Sequence, residues 1–391
     1  MRHTPLSGIR VLEIGGYISL PYGTSLLCAL GADVVKVEKT GDGDDFRRRG
    51  DDRSPFFVQY NAGKRSLAVD LKNPDAIELI KALVPRFDVV LENLRPGKLA
   101  ALGLGHEVCV ALRPDIIYGS VSGFGEGGPL SERPAYDTIG QAYAGLYSLL
   151  GEPGSAQLSG TIFADLITGF TTATGVLAAL VGRSSGQTGG RVDTSILEAM
   201  STLTVDALTQ AFDTGRDPSL RSRHPQAQNF CLDTASGDNL AVHLSSSEKF
   251  WRNLCAAMDR PDLADDPRFA VFATREQNYA ELVPIVAAEF VKRPAAVWEK
   301  RLTEHDVPFA PVLTMSGFAA HPQVDWLDLI EPGPEGLPLM RPPWRFDGAR
   351  PDRRGGIAPR VGRHTREIAT EVYDADVVEN LISSGALFAT A

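Results

Sequence analysis

Residues 11–38, VLEIGGYISLPYGTSLLCALGADVVKVE, contain the pattern that decides the fold. The apolar run VLEI predicts a short buried strand, and a Gly-Gly turn follows it. The next run, PYGTSLLCALGA, is predicted to be helical, and DVVKVE at 33–38 predicts a second strand. Strand, helix and strand in this order predict a βαβ unit, whose two strands lie parallel.

The chain continues this alternation through its first third. Further strands are predicted at SLAVDL (66–71), DVVLEN (88–93) and IIYGSVSGFG (116–125), and Asn73-Pro74 marks the start of an intervening helix. We therefore predict an α/β fold with a mostly parallel sheet and helices on both faces. In such sheets, ligands bind at the carboxyl ends of the strands.

Helical patterns dominate from Tyr136 onward. Single helices are predicted over 136–150 and 195–212, and VDTS, just before the second, is a candidate sixth strand. A segment containing Pro and Arg then predicts a linker. Strand-like FCLDTASGDNLAVHL follows, with helices predicted around Trp251, Tyr279 and Trp298, and a final helix near EIATEVYDADVVENLISSGAL. The predicted organisation is a large domain over 1–212, a linker over 213–228, a small α+β domain over 229–330 and a tail over 331–391.

Residues 159–182, SGTIFADLITGFTTATGVLAALVG, are apolar enough to span a membrane but carry one carboxylate, Asp165. Charges are rare in lipid-spanning helices, so a buried helix of a soluble protein is predicted. If Ser159 or Thr161 caps this helix, Asp165 lies in its first turn. Its face would then include Thr168, Gly169, Thr172 and Val176. These small residues either leave room for a ligand beside Asp165 or form a close helix–helix contact, and the sequence leaves both interpretations open.

Composition excludes several classes of protein. The 391 residues carry a formal net charge of −10, which argues against nucleic acid or an anionic membrane as the main partner. The four cysteines form no CxxC pair and the N-terminus lacks the apolar run of a signal peptide, so a cytoplasmic protein is predicted. The seven histidines are scattered, and no metal site is predicted. Glu38 ends the second strand where a ribose-binding acid would stand, but GGYISLPYG is not a GxGxxG loop.

Several short strings, taken in order, resemble those of the class III CoA-transferases, the family that includes formyl-CoA and carnitine CoA-transferases and the 2-methylacyl-CoA racemases. The strings are GIRVLEI, LGADVVKVE, GDDFR (43–47), NAGKRSLAVDLKNP, DVVLENLRPG, LRPDIIYGSVSGFGEGGP, RPAYDTIGQAYAG, TGGRVDTSILEA, DDPRF, REQN, VPFAPV and HPQV. Each string alone is weak evidence, but the ordered set covers nearly the whole chain and is specific.

The resemblance implies a Rossmann-like large domain built from both ends of the chain, a smaller inserted domain and an obligate homodimer of interlocked chains. Asp165 falls at the position of the family's catalytic carboxylate. In the transferases this Asp attacks an acyl-CoA thioester, giving an aspartyl anhydride and then an aspartyl-CoA thioester. The helix N-terminus is expected to favour its ionised form. CoA is a co-substrate, and no prosthetic group is implied.

The resemblance also implies contacts with CoA. Tyr17 and Ile18 would lie at the pantetheine-thioester end, and Lys39 and Lys72 at the phosphates, although each lysine has the alternative of a solvated surface charge. Further contacts are implied for Val69, Asn93, Leu94 and Tyr136. The chain departs from the family at Ala101, where an Arg is frequent, and Arg95 or Lys98 are possible substitutes. It also has serines, Ser245 to Ser247, in place of a glycine-rich lid.

The racemases provide the main alternative function. They use a His before the Asp of a two-residue motif, which here is Tyr136-Asp137. A His suits reversible proton transfer near neutral pH, whereas a phenol with a pKa near 10 does not. The sequence therefore predicts an acyl-CoA:carboxylate CoA-transferase acting on an acyl-CoA and a small carboxylic acid. A 2-methylacyl-CoA racemase or isomerase is the alternative, and a silent CoA-binding protein is disfavoured by the retained Asp165.

Overall fold

The computed structural model describes residues 4–47, 54–152, 154–333, 336–351 and 357–390. Contacts divide the chain into two compact units: unit 1 comprises Met1–Tyr147, Leu158–Asp206 and Asp325–Ala391, and unit 2 comprises Ser148–Gln157 and Ala207–Val324. The corresponding boundaries expected from the sequence, 212 and 330, lie a few residues later. The segment predicted as a linker, 213–228, belongs to unit 2, and part of the charged loop after the second strand (48–53) lies outside the described residues.

Strands and helices alternate through unit 1. The described residues of both units form the following elements, numbered in chain order. The strands are β1 (Arg10–Ile14), β2 (Asp33–Glu38), β3 (Arg65–Val69), β4 (Val89–Glu92), β5 (Ile117–Ser122), β6 (Gly190–Ser195), β7 (Asn229–Asp233), β8 (Asn239–His243), β9 (Phe309–Pro311), β10 (Ile330–Pro332), β11 (Pro338–Met340) and β12 (Leu387–Phe388). The helices are α1 (Ser19–Ala29), α2 (Pro55–Asn61), α3 (Pro74–Leu83), α4 (Lys98–Ala101), α5 (His106–Leu112), α6 (Asp137–Tyr143), α7 (Leu146–Leu149), α8 (Phe163–Ser184), α9 (Ile196–Leu203), α10 (Val205–Thr214), α11 (His224–Ala227), α12 (Glu248–Ala257), α13 (Pro261–Asp265), α14 (Phe272–Gln277), α15 (Tyr279–Phe290), α16 (Ala295–Glu304), α17 (Met315–Ala319), α18 (Pro322–Trp326), α19 (Thr365–Ala369) and α20 (Ala375–Ser383).

Unit 1 is built on a mostly parallel sheet, which confirms the predicted α/β fold. Among the described residues its strand order is β12-β3-β2-β1-β4-β5-β6, and only β12 runs antiparallel to its neighbour. Both faces of β1 are buried: Leu12 and Ile14 enter one hydrophobic cluster, whereas Val11 enters another on the opposite face. Burial on both faces explains why these strands consist of nearly continuous apolar runs.

Helix α8 crosses unit 1 against α1 and the sheet. Among the described residues it alone is long and apolar enough to cross a membrane on length and composition. Its buried residues include Thr168, Gly169, Thr172 and Val176, which confirms the predicted face. A Cβ on Gly23 of α1 would lie 2.6 Å from the carbonyl oxygen of Gly169. These small residues therefore allow a close contact between two helix backbones.

Three helical segments predicted as continuous are in fact interrupted. Gly145, with φ of 78°, separates α6 from α7, because a left-handed residue ends a helix. Thr204 separates α9 from α10, and a turn separates α19 from α20. The strand β12 was not predicted because two residues are too few to show an alternating pattern.

Unit 2 has its own core around a small antiparallel sheet of β7, β8 and β9. The predicted strand pair is confirmed, with Cys231 opposite Ala241. Trp251 and Trp298 are completely buried, and the ring of Trp298 stacks on Phe290 at 4.2 Å. The helices expected around Trp251, Tyr279 and Trp298 are therefore present, and their aromatic residues form the core.

Candidate active site

A cavity of about 810 Å³ opens at the carboxyl ends of the parallel strands in unit 1. It is lined by the segments that directly follow β1 to β5, where ligands of α/β sheets bind. The residues for which the resemblance implies catalysis or a CoA contact lie on its wall: Tyr17, Ile18, Lys39, Val69, Lys72, Asn93, Leu94, Tyr136 and Asp165. The structure thus brings together residues spread over 149 positions of the sequence, from 17 to 165.

The turn between β1 and α1 forms one wall of the cavity in an unusual backbone conformation. Tyr17 has φ of 65°, a left-handed value that is rare for a bulky residue. Asn93, which directly follows β4, binds Gly16, the residue before Tyr17. Its Oδ1 accepts from the Gly16 N–H at 3.1 Å, and its Nδ2 donates to the Gly16 carbonyl at 2.9 Å. A Cβ on Gly15 would lie 2.0 Å from Asn93 Oδ1, so this position requires glycine.

Asp165 lies in the first turn of α8, as predicted, but the cap of this helix differs from the prediction. The N-cap residue is Ile162, and neither Ser159 nor Thr161 caps the helix. Instead Asp137, at the start of α6, accepts hydrogen bonds at Oδ1 from the backbone N–H groups of Ala164 (2.9 Å) and Asp165 (3.2 Å). A carboxylate distant in sequence therefore satisfies the open donors of the helix.

A buried glutamine connects this cap to the chain that leads into α8. Gln141 donates from Nε2 to Asp137 Oδ2 at 2.5 Å and to the Thr161 carbonyl at 3.1 Å. Ser159 donates its hydroxyl to Gln141 Oε1 and to the Thr161 carbonyl, at 2.5 and 2.8 Å. Together these bonds fix where Asp165 enters the cavity wall. The role of Gln141 could not be predicted from the sequence, since a buried Gln in an amphipathic helix has no local signature.

Burial, and then the charge of Asp137, raise the pKa of Asp165 to about 7. The helix N-terminus was expected to favour the charged form, but the backbone N–H group of Asp165 donates to Asp137 instead. Among the described residues no cation or hydrogen-bond donor pairs with the Asp165 carboxylate. Near neutral pH this group therefore exchanges between a neutral acid and a poorly solvated carboxylate. Strongly shifted acids in cavities are candidates for catalysis.

Aromatic side chains surround the same wall. The rings of Tyr17 and Tyr136 meet edge to face at 5.8 Å, and Tyr136 is 62% exposed. Tyr60, which no sequence motif indicates, is close enough that burial, Tyr22 and then Asp165 raise its pKa to about 12. Its phenol therefore stays protonated near neutral pH. These rings supply the apolar surface expected at a site that protects a reactive carboxylate from water.

Basic residues lie along the cavity wall, and all of them are solvent-exposed. Lys39 is about half exposed and forms an ion pair with Asp45, while Lys72 is exposed after β3. Arg95 and Lys98 also line the cavity, whereas Ala101 does not appear on its wall. Among the described residues no group of three or more His, Cys, Asp or Glu side chains is arranged to hold a metal ion.

The serine segment expected to replace a glycine-rich lid lies in unit 2, between β8 and α12. Ser245 has a left-handed φ of 54°, and Ser247 caps α12 by accepting from the Phe250 N–H at 3.4 Å. The conformation of this loop is therefore set by the start of α12, the helix that follows it.

The fold and this cavity define an α/β protein that presents a protonatable carboxylate beside an extended, partly cationic groove. Residues 6–365 match the model of CoA-transferase family III, and the chain belongs to that family. It is 30% identical to succinyl-CoA:glutarate CoA-transferase of Mus musculus, covering 98% of this chain and 90% of the relative. It is 33% identical to acetyl-CoA:oxalate CoA-transferase of Acetobacter aceti, covering 82% and 83%. The crystal structure of a CAIB/BAIF family protein from Brucella suis superposes with a TM-score of 0.81 at 30% identity, covering 95% of this chain and all of that one.

Proposed function

We propose that this class III CoA-transferase moves CoA between an acyl-CoA thioester and a carboxylic acid through a covalent intermediate on Asp165. One observation carries the proposal. Asp165, with its pKa raised to about 7, lies on the wall of the cavity that also contains the residues implied for CoA. Membership of the family, and the activities named for the mouse and Acetobacter relatives, support the same reaction class.

The proposed reaction begins when an ionised oxygen of Asp165 attacks the thioester carbonyl. The new C–O bond forms, the C–S bond breaks and CoA leaves as a thiolate, so that an anhydride remains. The thiolate then attacks the aspartyl carbonyl, which releases the first carboxylate and leaves CoA on Asp165. The second carboxylate attacks this thioester, and the thiolate finally takes the new acyl group and frees Asp165. Each step exchanges one leaving group for another and needs no metal or redox partner.

The raised pKa suits this role in two ways. A more basic carboxylate is a better nucleophile, and its ionised form, poorly solvated beside Tyr60 and Ile162, is already freed of most of its water. The cost is that only the fraction ionised at the working pH can attack. Exclusion of water also protects the anhydride, which water would hydrolyse.

We further propose that CoA lies along the cavity with its thioester at Tyr17, Ile18 and Tyr136 and its phosphates toward Lys39 and Lys72. Arg95 and Lys98 also face the cavity and supply the positive charge that the family's Arg would give at Ala101. A chain with a net charge of −10 needs such local cations to bind a polyphosphate.

The proposed assembly is an interlocked homodimer in which unit 2 is an inserted domain. Helix α10 supports this assembly. None of its residues is buried, and they include two apolar side chains, Leu208 and Phe212, which are 49% and 79% exposed. Apolar residues exposed along one helix are typical of an interface. A cytoplasmic location is also proposed, because the four cysteines are free and Cys28, Cys109 and Cys255 are buried.

Mass spectrometry after mixing with acyl-CoA tests the mechanism. A CoA or acyl adduct is expected on the peptide that carries Asp165, and the Asp165→Asn variant should carry none. Exchange of label across a panel of CoA thioesters and carboxylic acids, beginning with short dicarboxylates, would then identify the substrates. Turnover without any adduct at Asp165 would contradict the covalent intermediate.

The racemase alternative is not favoured, since Tyr136 replaces the expected His. In deuterium oxide the protein should therefore leave the α-proton of a 2-methylacyl-CoA unexchanged. Uptake of deuterium at a rate comparable with CoA transfer would reverse this assignment.

A further inference from the structure

Four charged side chains form a continuous chain inside unit 1. Lys64 Nζ donates to Glu13 Oε2 at 2.7 Å, and Lys36 Nζ donates to Glu13 Oε1 at 2.7 Å. Lys36 Nζ also lies 2.8 Å from Asp44 Oδ2. All four side chains are at most 1% exposed, and two positive and two negative charges balance.

Burying four charges in a protein core requires an explanation beyond stability. Removing an ion pair from water costs about as much as the pair gains, and well-packed apolar residues often stabilise a core as well or better. A buried network of ion pairs is therefore expected where it fixes a part of the backbone that apolar residues could not fix. The contacts at the two ends of this network identify that part. Lys64 donates to the Pro21 carbonyl at 2.9 Å, at the start of α1, and Asp44 reaches the turn before α1.

Asp44 and Lys36 both bind the backbone of the turn between β1 and α1. Asp44 Oδ1 accepts from the Tyr17 N–H at 3.2 Å and from the Phe46 N–H at 2.9 Å, and Lys36 Nζ donates to the Gly15 carbonyl at 2.8 Å. A Cβ on Gly16 would lie 3.0 Å from Asp44 Oδ1, so the turn and the carboxylate are in direct contact.

This turn contains the strained residue of the cavity wall. The left-handed φ of 65° at Tyr17 is costly for an aromatic residue and persists only where its surroundings enforce it. Asn93 binds the turn at Gly16 from one side, and Asp44 binds it at Tyr17 from the other. The conformation directs the Tyr17 ring toward Tyr136.

We infer that Lys36 and Asp44 are positioning residues for acyl-CoA: their buried ion pair holds Tyr17 in its left-handed conformation and so shapes the thioester end of the cavity. The inference rests on the proposed function of that cavity. It assigns no proton transfer to the pair, and both side chains act only through the Gly15–Tyr17 backbone.

A double-mutant cycle between Asp44 and Tyr17, read as the Kd for CoA by calorimetry, tests the inference. Asp44→Ala should weaken binding roughly 10- to 100-fold, the usual range for losing hydrogen bonds to a charged group. Glycine adopts left-handed φ without strain. In a Tyr17→Gly background, Asp44→Ala should therefore weaken binding by less than about threefold, so that the two changes are strongly coupled.

Asp33→Ala is the matched control. Asp33 begins β2, the strand that carries Lys36, and it pairs with Arg65 at the amino ends of the strands, opposite the ends that line the cavity. Its loss should lower stability without weakening CoA binding by more than about twofold, the additivity expected of distant sites. If Asp44→Ala does not fold, Asp44→Asn retains an acceptor for both N–H groups and should weaken CoA binding by several-fold, because the ion pair is lost.

Two results would overturn the inference while the proposed function survived. One is wild-type CoA affinity in the Asp44 variants, and the other is an equal loss of affinity with Tyr or Gly at position 17. A crystal structure of Asp44→Ala tests the inference without CoA, because the φ of Tyr17 should leave the left-handed region. Failure of the wild-type protein to bind CoA would instead contradict the proposed function.

Discussion

Asp165 and Glu13 are both shielded carboxyl groups of unit 1, yet their environments act on them in opposite directions. Burial and then Asp137 raise the pKa of Asp165 to about 7. Burial also acts to raise that of Glu13, but Lys36 and Lys64 outweigh it and lower the pKa to about 2. The difference lies in the partners, since Glu13 has two buried ammonium groups and Asp165 faces another acid. A paired carboxylate holds structure, whereas an unpaired one is available for chemistry.

Of the substitutions that test this comparison, Asp165→Asn is expected to have the largest effect. The amide is nearly isosteric but cannot attack a thioester, so CoA transfer should fall by several orders of magnitude with the fold and CoA affinity retained. Transfer rate, thermal melting and CoA binding are measured together. Near-normal transfer, with deamidation back to Asp excluded by mass, would make Asp165 a structural residue.

Glu13→Gln tests the paired acid. It leaves the buried ammonium groups of Lys36 and Lys64 without their shared counter-charge, so the free energy of unfolding should fall by about 3–5 kcal/mol. Urea denaturation measures the change. Glu367→Gln is the control, because Glu367 is 63% exposed in its ion pair with Arg65 and should contribute about 1 kcal/mol or less. Equal losses for the two variants would show that burial does not distinguish these acids.

The stability difference between wild type and Asp165→Asn should depend on pH, in the direction opposite to the contribution of Glu13. The pKa of Asp165 is raised on folding, so the folded state keeps a proton that the unfolded state loses above pH 4, and stability falls as pH rises toward 7. The Asn variant lacks this penalty, and its melting temperature should exceed that of wild type at pH 8, with the gap closing toward pH 4. For Glu13 the sign is reversed, and stability is lost as pH falls from about 4.5 toward 2. A pH-independent difference in melting would contradict the shifted pKa.

Asp137→Asn should give the smallest effect and separates the cap from its charge. The amide oxygen still accepts from the N–H groups of Ala164 and Asp165, but the negative charge beside Asp165 is gone. The amide NH2 group also replaces the oxygen that accepts from Gln141. The midpoint of the kcat–pH profile should move to lower pH, by less than the contribution of burial, which is the larger cause. Asp262→Asn, in unit 2, serves as a control that should leave the midpoint unchanged. An unmoved midpoint in Asp137→Asn would mean that burial alone sets the pKa of Asp165.

Local patterns in the sequence correctly predicted strands and helices whose position depends on neighbouring residues. The prediction of β2 at 33–38 matches the observed Asp33–Glu38, because a continuous apolar run is typical of a strand buried on both faces. A cap at Ser159 or Thr161 predicts Asp165 in the first turn of its helix, and this position is confirmed although the N-cap is Ile162. The two-residue strand β12 lies below the length at which any periodicity can be seen.

The electrostatic part of the site could not be predicted in this way. Asp137 lies 28 residues before Asp165, and Lys64 lies 51 residues after Glu13, so no local pattern indicates that either pair meets. The helix dipole predicted a stabilised carboxylate at Asp165, whereas burial and then the charge of Asp137 raise the pKa of this group. Which partner an acid meets is decided by tertiary contacts, and with it the sign of the pKa shift.

The contact between α1 and α8 has a consequence for changing the substrate range of the enzyme. Both helices begin at the cavity, and they come into close contact about one turn into α1 and about two turns into α8. A Cβ on Gly169 would lie 2.5 Å from the Ser19 carbonyl oxygen. The distance between the turn at Tyr17 and the carboxylate of Asp165 thus depends on Gly23 and Gly169, which do not line the cavity. Libraries that vary the cavity wall should keep Gly23 and Gly169 constant, because a single added methyl group there would move Asp165 relative to the varied residues of the wall.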